Sequence, residues 1–191
     1  MIGCECDRGR TYRDLIMSFE SLLEALARVA REAGSAILRV YRTDFDVRHK
    51  ADRSPVTDAD VQAERIIVEA LESLTPDIPI VSEEAACESA TPTVGNRFWL
   101  VDPLDGTREF VRRNGEFAIN IALVQELRPV LGLIYAPALG RLYAGSVEGG
   151  AYAESAGRRR PIACRRPSPQ GLEVIASRSH HQPGSWQALL G

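Results

Sequence analysis

Apolar residues recur every three or four positions in two early segments of the chain, which predicts two amphipathic helices. The first covers residues 19–41, with a buried face made of Phe19, Leu22, Leu26, Val29, Ala33, Ile37 and Val40. The second begins after Thr57, an N-cap residue whose capping-box partner is Asp60. Its predicted buried face consists of Val61, Ile67, Ala70, Leu71 and Leu74. The proline-containing segment "TPDIP" ends this helix.

Short apolar segments separated by turns follow the second helix, and they predict strands. The segment "IPIVS" is a short strand that leads into Glu83 and Glu84. Further strands are predicted at "RFWLV", "FAINIALVQ", "PVLGLIYAP", "GRLYAGSV", "GGAYAE" and "LEVIAS". The sequence therefore predicts an α+β fold in which helices pack on a largely antiparallel sheet.

Composition excludes several classes of protein. The chain has 191 residues, a net charge of −3 and 45% hydrophobic residues, which is typical of a globular protein and unlike a basic nucleic-acid binder. No apolar stretch approaches the roughly 20 residues that span a bilayer. Residues 1–18 have no apolar core like that of a secretory signal, so we interpret them as a disordered leader or as the result of a translation start assigned too early.

The four cysteines are not spaced like the ligands of a zinc site. Cys4 and Cys6 form a C-x-C pair, but no second Cys or His pair follows at a suitable distance, and Cys87 and Cys164 are isolated. Reduced thiols in a cytoplasmic protein are therefore expected.

Acidic residues occur in three pairs at the ends of predicted elements, namely Asp58 and Asp60, Glu83 and Glu84, and Asp102 and Asp105. Carboxylates that lie close together repel one another unless a cation or a proton lies between them. Since no His or Cys accompanies these pairs, an all-oxygen site is expected, and such a site favours Mg²⁺ over Zn²⁺.

The stretch "DPLDGT" joins a strand to a short helix. Pro103 fixes the chain direction after Asp102, and Gly106 allows backbone to approach a ligand closely. Thr107 opens the helix, whose free N–H groups suit a phosphate. Taken alone, Asp105 followed by Gly106 is also a common turn signal, and Asp60 is equally well explained as a capping residue.

Together these segments resemble a known family. "WLVDPLDGTREF" is similar to the D-P-[IL]-D-G-T signature of the lithium-sensitive, magnesium-dependent phosphatases related to inositol monophosphatase. "VSEE" and "SPVTDAD" match the acidic pair and the earlier loop of that family. Within it, "DGTREFVRRNGEFAINIAL" and "IASRSH" resemble the CysQ-type 3'(2'),5'-bisphosphate nucleotidases. The resemblance covers residue 19 to the end, and it implies the layered α/β sandwich of the inositol monophosphatase and fructose bisphosphatase type.

The resemblance implies hydrolysis of 3'-phosphoadenosine 5'-phosphate to AMP and phosphate, a reaction of sulfur assimilation and nucleotide recycling. Glu83, Asp102 and the carbonyl of Leu104 would hold one Mg²⁺ ion, and Asp102 and Asp105 would hold a second. Glu83, Leu104 and Asp105 would also line the substrate pocket.

The resemblance also implies roles for residues around the metals. Thr107 would position the attacking water, supported by Asp60, while the N–H groups of Gly106 and Thr107 hold the phosphate. Ser177 and His180 would contact the nucleotide, although a strand end and a helix cap explain them as well.

Three arginines follow the D-G-T motif, namely Arg108, Arg112 and Arg113. They are candidates for contacting a second substrate phosphate, and a solvated helix face is the expected alternative for at least two of them.

One feature of the family is missing from the sequence. Family members carry a later W-D motif, and no such dipeptide occurs in this chain. We therefore expect an N-terminal metal-binding domain at residues 19–153 and the beginning of a truncated C-terminal α/β domain at residues 154–191.

Two other functions remain open. The first is another phosphatase of the family, acting on an inositol phosphate or a sugar phosphate. The second is a remnant that binds Mg²⁺ or nucleotide without turnover. The resemblance further implies a small-molecule partner, a homodimer, and a cytoplasmic location with loose attachment to the inner membrane, as in bacterial relatives.

Overall fold

The computed structural model describes residues 18–49, 55–84, 94–166, 169 and 171. Both predicted helices are present. Helix α1 covers Phe19–Tyr41 and begins at Ser18, whose hydroxyl accepts a hydrogen bond from the amide of Ser21 at 3.1 Å. Helix α2 covers Asp58–Leu74 and begins with the predicted capping box. In the described part of the chain, neither helix is long and apolar enough to cross a membrane.

The buried face of α2 differs from the predicted one at Val61. This side chain is 48% exposed, whereas the buried positions are Ala59, Asp60, Ala63, Ile67 and Leu71. Steps of three and four residues keep these buried positions on one face, and Val61 points away from it. The prediction for Val61 is therefore wrong, because a polar residue, Asp60, takes the inward position that the apolar pattern assigned to its neighbour.

The strands form two sheets. A short hairpin pairs β1, Arg48–His49, with β2, Pro55–Val56. The main sheet has seven strands in chain order: β3 Ile80–Ser82, β4 Arg97–Asp105, β5 Ala118–Gln125, β6 Arg128–Ala136, β7 Arg141–Ser146, β8 Gly150–Ser155 and β9 Arg158–Ile162. Only β3 and β4 are parallel among these described strands, so the predicted largely antiparallel α+β fold is confirmed.

One face of the main sheet packs against α1 and α2 and forms the core. Successive side chains of β4 point to opposite faces of the sheet, so Trp99 and Val101 lie in this core, while Leu100 and Asp102 lie on the outer face. Helix α1 lies so close to β6 at Gly34 that a Cβ atom there would be only 2.6 Å from Cε1 of Tyr135.

The boundary predicted after residue 153 falls within β8, and the sheet continues into β9. Glu154 of β8 accepts hydrogen bonds from Arg31 of α1 and Arg159 of β9, and Arg159 also donates to Glu24 of α1. These contacts join the first helix to the last two described strands.

Trp99 supplies a test of the packing between β4 and α2. Its side chain is fully buried, and its Nε1 donates to Oγ1 of Thr75 at 2.8 Å, while that hydroxyl donates to the carbonyl of Leu71 at 3.0 Å. We expect Trp99→Phe to lower the free energy of unfolding by about 2 kcal/mol, since it loses both buried volume and a hydrogen bond. Urea unfolding measures this, and an unchanged midpoint would contradict the packing described.

Candidate active site

The parallel pairing of β3 and β4 brings two acidic residues together. Ser82 lies opposite Val101, so the next residues along the two strands, Glu83 and Asp102, emerge side by side. Their carboxyl groups are in hydrogen-bond contact. Two acids that are nineteen positions apart in the chain therefore lie together where the pairing of β3 and β4 ends.

A β-bulge in β4 places Asp105 near the same two acids, at the end of the strand. Asp102 pairs with Asn120 and Asp105 pairs with Ala118, so β4 has one more residue than β5 in this interval. The amide of Leu104 donates to Oδ1 of Asp102 at 3.2 Å. Nδ2 of Asn120 donates to Oδ2 of Asp105 at 3.1 Å and holds that side chain at the outer face.

The acidic cluster strongly disfavours a negative charge on Asp102. Burial, followed by the negative charges of Glu83 and Asp105, raises the pKa of Asp102 to about 7, while the hydrogen bond from the Leu104 amide acts in the opposite direction. A bound cation would stabilise the ionised form of this carboxyl group by relieving that repulsion.

The donor set is suited to a hard divalent cation. Glu83, Asp102 and Asp105 offer carboxylate oxygens, and Leu104 offers a backbone carbonyl between the two aspartates. In the residues that the structure describes, no three acidic, histidine or cysteine side chains are already arranged as a metal site. The all-oxygen chemistry and the repulsion at Asp102 fit Mg²⁺.

Asp60 is fixed at the start of α2 and joins this helix to the "DPLDGT" segment. Its Oδ2 accepts hydrogen bonds from the amide and the hydroxyl of Thr57, both at 2.7 Å. Its Oδ1 lies 3.2 Å from the hydroxyl oxygen of Thr107, which is also 3.1 Å from the carbonyl oxygen of Leu104. The structure therefore brings Asp60 and Thr107 together, forty-seven positions apart in the chain.

Asp60 and Thr57 have no exposed surface, which is unusual for an aspartate and a threonine. Burial raises the pKa of the Asp60 carboxyl group, and the hydrogen bonds from Thr57 and Thr107 act in the opposite direction. A polar group is retained in the core here because its oxygens are satisfied by these donors.

Gly106 connects the bulged strand to helix α3, Thr107–Val111. Its φ of 87° lies in the left-handed region, and a Cβ atom there would lie 2.8 Å from the backbone oxygen of Glu116. A residue without a side chain is therefore required at this position both by conformation and by space.

We expect Gly106→Ala to lower the free energy of unfolding by about 2 kcal/mol and to displace Thr107, because both the backbone and Glu116 must shift. Gly95→Ala is the matched control, since a Cβ atom at Gly95 meets nothing within 4 Å. Thermal unfolding of both variants measures the difference. Equal melting temperatures would contradict the tight turn.

Arg113 contacts the end of α1. Its guanidinium donates to the carbonyl oxygens of Tyr41 at 2.5 Å and Thr43 at 2.6 Å, and it lies over the ring of Phe45 at 4.9 Å. The bond to Tyr41 satisfies a carbonyl group that the end of a helix leaves free, and the bond to Thr43 holds the segment that follows it. Arg113, one of the three candidates for contacting a second substrate phosphate, thus has hydrogen-bond partners within the protein.

Ser177 and His180 lie outside the described residues, as do Cys4, Cys6 and Cys87. Among the described residues, Cys164 is an exposed free thiol.

Asn120, which contacts Asp105, was not among the site residues predicted from the sequence. The alternating pattern of "FAINIAL" could have indicated it, because Asn120 is the polar residue in an otherwise apolar strand.

Comparison with known proteins agrees with this architecture. The model of the inositol monophosphatase family matches residues 18–188. The chain therefore belongs to the inositol monophosphatase family.

Individual relatives and solved structures show which members of the family the chain resembles. The chain is 45% identical over 161 residues to the 3'(2'),5'-bisphosphate nucleotidase CysQ of Escherichia coli K12, covering 83% of this chain and 64% of that protein. The crystal structure of CysQ from Bacteroides thetaiotaomicron has 35% identity and a TM-score of 0.65, covering 90% of this chain and 68% of that one. The Thermotoga maritima IMPase has 30% identity and a TM-score of 0.63, covering 74% and 54%. The chain thus spans about two-thirds of the length of its CysQ relatives.

Proposed function

We propose that this protein functions as an Mg²⁺-dependent phosphomonoesterase that hydrolyses 3'-phosphoadenosine 5'-phosphate to AMP and phosphate. The observation that carries the proposal is the combination of the hydrogen bond between buried Asp60 and half-buried Thr107 with the acidic cluster of Glu83, Asp102 and Asp105. The similarity to CysQ nucleotidases supports the choice of substrate.

Four groups would hold the metal: the carboxylates of Glu83, Asp102 and Asp105 and the carbonyl of Leu104. Bound there, Mg²⁺ would neutralise charge on the phosphoryl oxygens and lower the pKa of water. The neighbouring amides of Gly106 and Thr107 are proposed to contact the phosphate. We further propose that lithium inhibits the enzyme and that it acts in the cytoplasm, as the family resemblance implies.

Thr107 is proposed to orient the attacking water. A threonine hydroxyl has one proton and two acceptor sites. When it donates to Oδ1 of Asp60, its own oxygen is free to accept a hydrogen bond from water. Because Thr57 fixes the other oxygen of Asp60, the carboxylate cannot turn away without breaking two hydrogen bonds at 2.7 Å. Asp60 would thus hold Thr107 in the orientation that general-base assistance requires.

Inositol phosphate is the second candidate substrate. The observation that favours it is the similar TM-score of the Thermotoga maritima IMPase, 0.63, compared with 0.65 for the Bacteroides CysQ. The shared fold accommodates both chemistries, and the substrate is therefore decided outside the metal cluster.

Phosphate release from the two substrates tests the proposal. It is measured with Mg²⁺ for this chain and for a chimera in which the remaining C-terminal part of the Escherichia coli relative is appended. We expect the active form to have a kcat/KM at least about a hundredfold higher for 3'-phosphoadenosine 5'-phosphate than for inositol 1-phosphate, a difference of about 3 kcal/mol.

Each outcome of this assay has a clear meaning. Equal or reversed preference would assign the protein to the inositol phosphatases. Failure of both forms to release phosphate, with the chimera folded and binding Mg²⁺, would overturn the enzymatic proposal. EDTA is the control for metal dependence, since a chelator should abolish the reaction.

A further inference from the structure

A basic cavity lies on the outer face of the main sheet, at the β7–β9 side. It has a volume of about 530 Å³, and it is lined by four arginines, one carboxylate and three other residues: Arg141, Arg158, Arg159, Arg160, Glu154, Tyr143, Ala153 and Ser155. This volume lies within the range of small-molecule sites. The functional assignments above do not account for this group of arginines.

The register of the strands explains why the arginines converge. Arg141 pairs with Ser155, and Ser155 pairs with Arg158, so these three residues form one row across β7, β8 and β9. Arg160 lies two positions further along β9 and therefore on the same face as Arg158. Arg141 and Arg158 are separated by two strand spacings, about 10 Å, which long arginine side chains can bridge around one ligand.

The intervening arginine behaves differently. Arg159 points to the opposite face, where it donates to Glu24 and Glu154 and lies 4.0 Å from the ring centre of Tyr152. By contrast, none of Arg141, Arg158 and Arg160 has a carboxylate partner among the residues that the structure describes. Arg158 and Arg160 thus leave their cations available, whereas Arg159, which lies between them on β9, is neutralised.

An aromatic side chain completes the cavity. Tyr143 lies in the next row, paired with Ala153, which in turn pairs with Arg160. Its side chain is 38% exposed, so part of the ring is available for stacking. Because Ala153 is small, it leaves room between the ring and Arg160.

The arginines of the cavity lie far from the acidic cluster on the same face, while Tyr143 also lines the groove that contains Asp102 and Asp105. Asp102, Asn120, Ile134 and Tyr143 form one continuous row, which places Tyr143 three strands from Asp102, about 14 Å away. Arg160 is two strands further along the same row, about 24 Å from Asp102. One phosphate group cannot reach both.

We propose that this cavity is a second anion site, which binds a nucleoside diphosphate with its phosphates on Arg141, Arg158 and Arg160 and its base against Tyr143. Three guanidinium groups match the charge of a diphosphate, and arginine binds phosphate oxygens in a bidentate manner. The inference does not depend on the proposed catalytic activity, because none of these side chains belongs to the acidic cluster.

Calorimetric titration of the full chain in EDTA tests the site, since removing metal keeps the acidic cluster from attracting phosphate. The probes are ADP, pyrophosphate and adenosine. We expect ADP to bind more tightly than pyrophosphate, adenosine to show no measurable binding, and the affinity for ADP to fall as salt screens the charges. Tyr143→Leu should remove the advantage of ADP over pyrophosphate.

The arginine variants distinguish a site from general charge attraction. Arg158→Ala and Arg160→Ala should each weaken ADP binding about tenfold or more. Arg128→Ala is the matched control, because Arg128 is also exposed and belongs to the described strand β6, and it should change the affinity by less than about twofold. Absence of ADP and pyrophosphate binding, or equal losses in all three variants, would overturn the proposal.

Discussion

Asp102→Asn is expected to lower phosphate release by about a thousandfold or more, because it removes a charged oxygen from the proposed metal site. The protein should remain folded, since asparagine has the same shape and can still accept the hydrogen bond from the Leu104 amide. The measurement is kcat/KM with saturating Mg²⁺, made on the active form in the substrate assay. A fully active variant would contradict the assignment of Asp102 as a metal ligand.

The same variant should change stability in a pH-dependent manner when metal is absent. The folded pKa of Asp102, about 7, is above the reference value of 3.8, so the folded state binds the proton more tightly than the unfolded state. The resulting stability is present below about pH 4 and is lost as the pH rises towards 7. We expect wild type to lose about 2 kcal/mol over this interval, and Asp102→Asn to lose much less. Urea unfolding in EDTA at pH 4 and pH 8 compares them, and parallel curves would contradict the raised pKa.

Thr107→Val should lower kcat about a hundredfold and leave KM nearly unchanged. Valine keeps the shape of threonine but loses the hydroxyl that contacts Asp60 at 3.2 Å and Leu104 at 3.1 Å. Thr107→Ser is the matched control, since it keeps the hydroxyl and removes only a methyl group, so most of kcat should remain.

A rise in KM without loss of kcat in Thr107→Val would show that the hydroxyl binds substrate and does not orient water. Some loss of stability is expected as well, because the variant leaves Oδ1 of buried Asp60 with fewer donors. Thermal unfolding of the Val and Ser variants separates this structural effect from the kinetic one.

Features set by neighbouring residues were predictable from the sequence. The positions of α1 and α2 follow from apolar residues at helical spacing, and the capping box of Thr57 and Asp60 spans only three positions. The short helix after Gly106 was also predicted, because glycine and threonine in that order indicate a turn followed by a helix start.

Contacts between distant segments were harder to predict. The sequence alone did not give the register that aligns Ser82 with Val101 and so brings Glu83 to Asp102, although the family resemblance grouped the two acids. The engagement of Arg113 by the end of α1 was missed because an exposed arginine carries no local signal of its partner. Val61 was misplaced for a related reason: an apolar pattern cannot show that a buried aspartate will be satisfied by long-range donors.

Direct titration of Mg²⁺ into the 191-residue protein at pH 8 is the most direct test of the central claim, which is that the cluster at Glu83, Asp102 and Asp105 binds a metal ion. We expect saturable binding in wild type, loss of binding in Asp102→Asn, and unchanged binding in Asp77→Asn, which alters an exposed carboxylate in the turn between α2 and β3. Binding should weaken at pH 5, because the Asp102 carboxyl group, with a pKa of about 7, must then release a proton to bind metal. Equal Mg²⁺ binding by wild type and Asp102→Asn would contradict the account.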